Sequence, residues 1–132
     1  MAISFDRALG VHDDALFIRE QRAQLLANNL ANANTPQFKA RDIDFRALIR
    51  DAMDTQGTGS LRATERGHFD AAAAAVDGAL LYRVPMQPSL DGNTVDTEME
   101  LSIFARNALD YQASLTFLQG SLRSLKSAIR GE

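Results

Sequence analysis

The sequence predicts an all-α chain: long amphipathic helices at the two ends pair as a helical hairpin or coiled coil, around a loosely ordered middle with one short helix and extended segments. Three observations carry this expectation. Apolar residues recur every seven positions near both ends, the period of a helix that packs lengthwise on a partner. Ala is abundant, Trp and Cys are absent, and only 3 of the 132 residues are Pro, a composition that favours helix over sheet. Between the ends no apolar period is sustained. A chain of 132 residues suits one domain and is short for two buried cores. We therefore read 1–132 as a single unit, with an N-terminal helix over 4–34, a flexible middle over 37–94 and a C-terminal helix over 95–131.

The elements follow in order. Leu9, Leu16, Ala23 and Leu30 lie seven apart, and Phe5, Leu26 and Ala33 fall on the companion row. His12 and Arg19 interrupt that row. Ser4 is the expected N-cap, and Asn32, Asn34, Thr35 and Pro36 should end the helix, because Pro disfavours helical geometry in the residue before it. FRALIRDAM reads as a short helix capped by Asp42 or Asp44, followed by TQGTGS as a linker. The mixed segment Leu61–Asp77 has no clear period. LLYRVPMQPS reads as extended, restricted by its prolines, and Asp91-Gly92-Asn93 as a turn. Asp96 or Thr97 should cap the last helix. Along that helix Phe104, Tyr111, Leu118 and Leu125 interleave with Leu101, Ala108, Leu115, Leu122 and Ile129 at spacings of 3 and 4. Lys126 and Arg130, followed by Gly131, suit a helix C-terminus.

Neither helix can bury such a seam alone. A two-helix hairpin buries little area, and conformational entropy of ~1–2 kcal/mol per residue offsets most of the gain. The free chain is therefore expected to be marginal and to draw stability from neighbouring subunits. Leu9, Leu16, Leu26 and Leu30 should face the C-terminal row or another subunit.

Composition excludes several classes. The net charge is −3, with no basic stripe to neutralise phosphates, so no nucleic-acid partner is expected. Without cysteine there is no disulfide, thiol nucleophile or thiolate metal site. The longest apolar run, Ala71–Val76, is far too short to span a membrane. The opening MAISFDRALGVHDDAL lacks a basic stretch followed by an apolar core, so a cleaved signal peptide is not expected.

The segment Ala27-Asn28-Asn29-Leu30-Ala31-Asn32-Ala33-Asn34-Thr35-Pro36 resembles the N-terminal signature of the flagellar rod and hook family of axial proteins, whose usual form is ANNIANANTPG followed by an aromatic. Four Asn within seven positions is more than a helix stop requires; the amides can bond neighbouring backbone or another subunit, and Ala permits close approach. The family's Gly after the Pro is Gln37 here, ahead of Phe38, which puts a positive-φ turn at that spot in question. The stretch Phe38–Phe45, and Gly92–Asp96 with Asn107-Ala-Leu-Asp-Tyr-Gln112, are similar to the proximal-rod member of the family. The resemblance covers roughly two-thirds of the chain and leaves 55–82 unmatched.

What the resemblance implies is a subunit exported by the flagellar type III apparatus without a cleaved signal. It would assemble in the periplasm as the first part of the rod, join the MS ring and export gate to the distal rod, and transmit torque. The implied partners are other flagellar rod proteins, a FliE-like adaptor, the MS-ring protein and further copies of the chain in a helical assembly. Subunit contacts would involve Asn28, Asn29, Leu30, Asn32, Asn34, Thr35 and Pro36. No cofactor, metal, small-molecule substrate or catalysis is expected. Among rivals, an enzyme would have to use His12, His68 or the carboxylates Asp13, Asp14, Glu98 and Glu100; these read as a packed seam residue and a solvated face, with no nucleophile or phosphate loop beside them. Asp91–Glu98 fits a calcium loop poorly, because Val95 and Asp96 occupy its fifth and sixth positions. Another small rod protein, a coiled-coil scaffold or an export chaperone would share the seams, but the last two have no need of the Asn-rich stop.

Overall fold

In the computed structural model the described residues are 12–58, 79–85 and 89–131. Ser4, Phe5, Leu9, His68 and the segment Leu61–Asp77 lie outside them, so the expectations placed there do too. The described chain is mostly helical. It runs α1 (His12–Ala31), β1 (Arg41–Ile43), α2 (Phe45–Thr58), β2 (Leu80–Tyr82) and α3 (Thr97–Arg130).

α1 closes three residues before its expected end because the Asn-rich stop satisfies its own backbone. The Asn32 side chain donates to the Asn28 carbonyl at 2.9 Å and accepts from the Thr35 hydroxyl at 3.2 Å. Such local side-chain bonds compete with the helical ladder. The chain then turns through Gln37, the one non-glycine residue with positive φ (60°) among those described. The turn that the missing Gly put in question is therefore made by a glutamine. Its N–H donates to the Asp91 carbonyl at 2.9 Å, while Gly92 (φ 73°) makes the complementary turn opposite.

Between the capping alternatives for α2, Asp44 is the one used: its Oδ1 accepts from the N–H groups of Arg46 (3.0 Å) and Ala47 (3.1 Å). The expected linker at Thr55–Ser60 is corrected in part, because α2 continues through Thr58. A Gly at 57 costs a helix only about 1 kcal/mol, which one further turn tolerates. The all-α expectation also needs a correction, since β1 and β2 pair antiparallel, Arg41 opposite Tyr82 and Ile43 opposite Leu80. Local periodicity cannot show a pairing between segments this far apart in sequence.

Asp96 caps α3 in extended geometry (φ −104°, ψ 112°), accepting from Glu98 and Met99 N–H. Gly131, at φ 76°, closes its other end by donating to the Ser127 carbonyl. At ~1.5 Å per residue these 34 residues span about 50 Å.

The apolar core is small. Ile18 of α1, Ile43 of β1 and Leu48 of α2 are buried together, with Phe17, Leu25, Phe45, Ile49 and Leu80 packed around them. No residue of α3 belongs to this cluster. α3 instead lies antiparallel on α1 through a different line, in which Glu100 and Asn107 are buried and Ile103, Asp110 and Ser114 are half-buried; further along α3, Leu118, Ser121 and Leu125 are half-buried too. The apolar row sits beside that line: exposure runs from 37 % at Tyr111 and Leu115 to 75 % at Ile129.

A left-handed conformation costs a non-glycine residue ~1–2 kcal/mol. Replacing Gln37 by Gly is therefore expected to raise the urea midpoint of the isolated chain, by about 0.5–1 kcal/mol of stability. Gln37→Val should lower it, because a branched Cβ fits that φ poorly.

Candidate functional site

The Asn-rich stop of α1 is the hub of the described structure, and its amides differ in use. Asn29 is 2 % exposed. Its Oδ1 accepts the Arg41 N–H at 3.1 Å, and its Nδ2 donates to the Arg41 carbonyl at 2.7 Å and, at 3.4 Å, to Glu100 Oε2. One carboxamide thus supplies both missing ladder bonds of a strand residue and reaches α3. Asn93, 5 % exposed, works from the other side: its Nδ2 meets the carbonyls of Asn32 (3.1 Å), Ala33 (2.7 Å) and Thr35 (3.0 Å). Those carbonyls lie in the turns just past α1, and those of Asn32 and Thr35 also accept the Thr35 and Phe38 N–H groups.

Beneath this hub lies a cluster of four charges from four segments. Arg22 of α1 grips Asp42 of β1 through two bonds of 2.8 Å. Arg83, one residue past β2, donates to the same carboxylate at 2.7 Å and with its other nitrogen to Glu100 of α3. The bidentate guanidinium–carboxylate form is the strong one. Burial alone would push the Asp42 carboxyl up; the bonds from Arg22, Ile43 N–H and Arg83 outweigh it and hold the group below its ordinary 3.8. Glu100 goes the other way. At 1 % exposure its burial raises the carboxyl above 4.5, and neither the charge of Arg83 nor the Asn29 amide cancels that. Glu100 had been expected on a solvated face; it is corrected to a buried, paired position, because only this placement gives Arg83 a second carboxylate.

Two turns further along α3, Asn107 (3 % exposed) donates to the Arg19 carbonyl at 2.9 Å, and Asp110 pairs with the Arg19 side chain at 3.0 Å. The Arg19 guanidinium also lies over the Phe45 ring, 4.2 Å from its centre. Next to these contacts the two helices leave a groove of about 290 Å³, with Ala23 on one wall and Phe104, Ala108 and Tyr111 on the other.

The other expected site residues divide plainly. Leu26 is buried, and Leu16, Leu30, Leu118 and Leu125 are half-buried. Phe104, Tyr111, Leu115, Leu122 and Ile129 are exposed. In the signature Asn28, Asn34, Thr35 and Pro36 are exposed, whereas Asn29 is spent inside the chain. Sequence reasoning missed Arg22, Asp42, Arg83, Asn93 and Asn107 as structural contacts; a charge or amide carries no period, and their partners are distant in sequence. Asp91 and Asp96 serve the turn and the cap, and no cluster of metal-ligating side chains occurs among the described residues.

Removing the Asp42 charge leaves Arg22 and Arg83 facing one another, so Asp42→Asn is expected to cost about 3 kcal/mol at pH 7 in urea unfolding. Asp42, its carboxyl held low in the fold, contributes stability above its ordinary range that is lost as pH falls through the lowered value. Glu100, its carboxyl raised, contributes stability present below 4.5 and lost as pH rises through the raised value. Unfolding measured between pH 3 and pH 7 should therefore show a weaker acid loss in Asp42→Asn. In Glu100→Gln the loss of stability on raising the pH through the upper carboxylate range should vanish.

No family model matches the chain. Full-length relatives do. A flagellar basal body rod protein FlgB of Aeromonas hydrophila is 48 % identical over 133 residues, spanning 100 % of this chain and 99 % of the relative. The FlgB of Cereibacter sphaeroides is 51 % identical over 128 residues, 97 % of this chain and 98 % of its own. That of Salmonella typhimurium is 46 % identical over 134 residues, covering 96 % and 95 %. Identity at this level along the whole length of both chains, with the Asn-rich stop as its structural hub, means that the chain belongs to the FlgB family of flagellar basal body rod proteins.

Proposed function

We propose that the chain is a structural subunit of the proximal rod of the flagellar basal body, and that it acts by packing its helices against neighbouring subunits. The observation that carries this reading is the exposed apolar row of α3. Phe104, Tyr111, Leu115 and Leu122 recur at helical spacing and each keeps 37–44 % of its surface exposed. Contiguous exposed apolar surface of this kind marks an interface. Relatives named as basal body rod proteins supply the setting: association with other rod and basal body proteins, at the flagellum, in a structural and not a catalytic role.

The finer reading is as follows. The terminal helix pair serves as the coiled-coil element of the axis. The exposed part of the signature, Asn28, Asn34, Thr35 and Pro36, together with the row from Phe104 to Ile129, meets other copies, sister rod proteins, a FliE-like adaptor or the MS-ring protein. Export through the flagellar type III apparatus, with assembly in the periplasm, fits a chain whose described apolar core is small. No described helix is long and apolar enough to cross a membrane. A coiled-coil scaffold or export chaperone is not favoured, because the full-length relatives are rod proteins.

Leu115→Asp with Leu122→Asp tests the reading directly. Both positions are exposed, so the isolated variant should keep the far-UV circular dichroism of the parent. In a strain lacking the native gene it should leave a membrane ring with no rod in electron micrographs, and no motility. A swimming strain would overturn the assignment of this face.

A further inference from the structure

Between Asp110 and Gly131, α3 carries three cations and no carboxylate. Arg123, Lys126 and Arg130 stand at i, i+3 and i+7, one stripe along the helix. None of the three has an ion-pair partner among the described residues. Followed back along α3 at the same spacing, the stripe is uncharged through Gln119, Thr116, Gln112 and Leu109. The charge is therefore gathered at the end of the helix. The helix dipole favours cations there, but its effect falls off within the final turn, where Arg130 alone lies. Arg123 and Lys126 stand further back and have no such local reason.

The cations border the end of the apolar row. Lys126 follows Leu122 by four residues and precedes Ile129 by three, so it stands beside both. Leu122 and Ile129 are exposed and Leu125 is half-buried. With Lys126 and Arg130 they line a hollow of about 230 Å³. An apolar hollow with cations along one rim fits an apolar ridge with carboxylates along one edge, which is the form of an amphipathic helix.

Two other occupants match less well. An anionic membrane presents a flat surface to this hollow, and a helix that lies in one spreads its cations over a whole polar face, whereas these line one flank. The chain's net charge of −3 also opposes it. A further copy lacks the acidic edge. No described helix of this chain carries carboxylates at i, i+3 or i+4, and i+7, and Asp14, Asp51 and Asp54 already interact within the chain.

We propose that the end of the apolar row, from Leu122 to Ile129, receives an acidic amphipathic helix of a different basal-body protein. Its apolar stripe fills the hollow, and carboxylates spaced at i, i+3 or i+4, and i+7 meet Arg123, Lys126 and Arg130. The inference rests on the rod-subunit reading and adds to it the chemistry of one partner and the part of α3 that it covers.

Ile129 is exposed, so the photo-reactive residue p-benzoylphenylalanine can take its place. The variant is expressed in a strain lacking the native gene and irradiated in isolated basal bodies. Mass spectrometry should find it joined to a helical segment of a different protein that bears the expected carboxylates. A cross-link to another copy, within the same chain, to lipid, or to a segment without those carboxylates would overturn the proposal, as would rods with no cross-link.

Should that variant build no rods, charge reversal decides. Arg123→Glu with Lys126→Glu should reduce the number of rods per cell several-fold, and Arg123→Lys should leave it unchanged. Both isolated variants should keep the far-UV circular dichroism of the parent. If the reversed variant loses helix, Arg123→Gln with Lys126→Gln takes its place under the same expectation. Undiminished rods in the reversed or neutral variant, or an equal reduction in Arg123→Lys, would overturn the contact and leave the rod role standing. Normal rods in the gene-deleted strain itself would overturn the function on which the contact rests.

Discussion

The directional contacts between the two long helices are made by polar side chains set among apolar ones, and those polar contacts govern the rest of the structure. Where α1 and α3 touch, the contacts are Asn29 with Glu100, and Arg19 with Asn107 and Asp110. A paired polar contact of this type adds ~1 kcal/mol net, whereas burying a large apolar side chain contributes ~1.5–3 kcal/mol. The chain thus holds its helices in register with directional bonds and leaves part of the stronger, non-directional term open on Phe104, Tyr111, Leu115 and Leu122, which stay 37–44 % exposed. A subunit built this way has a defined shape before assembly, and its largest remaining gain comes from neighbours.

A polar contact line calls for its buried groups to be matched, and most are, although Arg19 Nε and Asn107 Oδ1 are buried without a hydrogen-bond partner among the described residues. The middle of the chain supplies the matches. Arg83 follows β2 and ties Asp42 to Glu100, so the returning strand is fastened to β1 and α3 at one point. Asn29 and Asn93 then complete the carbonyls and N–H groups that the ends of α1 and β1 leave open. Order in the strand pair and register between the helices are therefore coupled through a few side chains. Loss of one member leaves a charge or an amide buried without a partner, which is costlier than loss of an exposed contact.

Much of this plan was legible from residues close in sequence. The Gly131 cap, the Asp96 and Asp44 caps each as one of two alternatives, the Asp91–Asn93 turn and the extended Leu80–Tyr82 follow from local chemistry, where each side chain acts on backbone a few residues away. The small sheet was not legible, because β1 and β2 are separated by α2 and by further chain. The contact face of α3 was not legible for a different reason: a period search weights apolar positions, and Glu100 and Asn107 fall between them. Gln37 shows the opposite case: the missing family Gly put a positive-φ turn there in question, and the backbone makes that turn all the same.

The central claim is that the apolar row of α3 is open in the free chain and closed only by other subunits. With no native cysteine, Leu115→Cys provides a single reporter on that row. Its rate of alkylation is measured in the free chain and in isolated basal bodies. The account predicts rapid labelling of the free chain and strong protection in the basal body. Equal protection in both would mean that the row is buried within the chain, and equal labelling in both would mean that it faces solvent in the finished rod; either result contradicts the account.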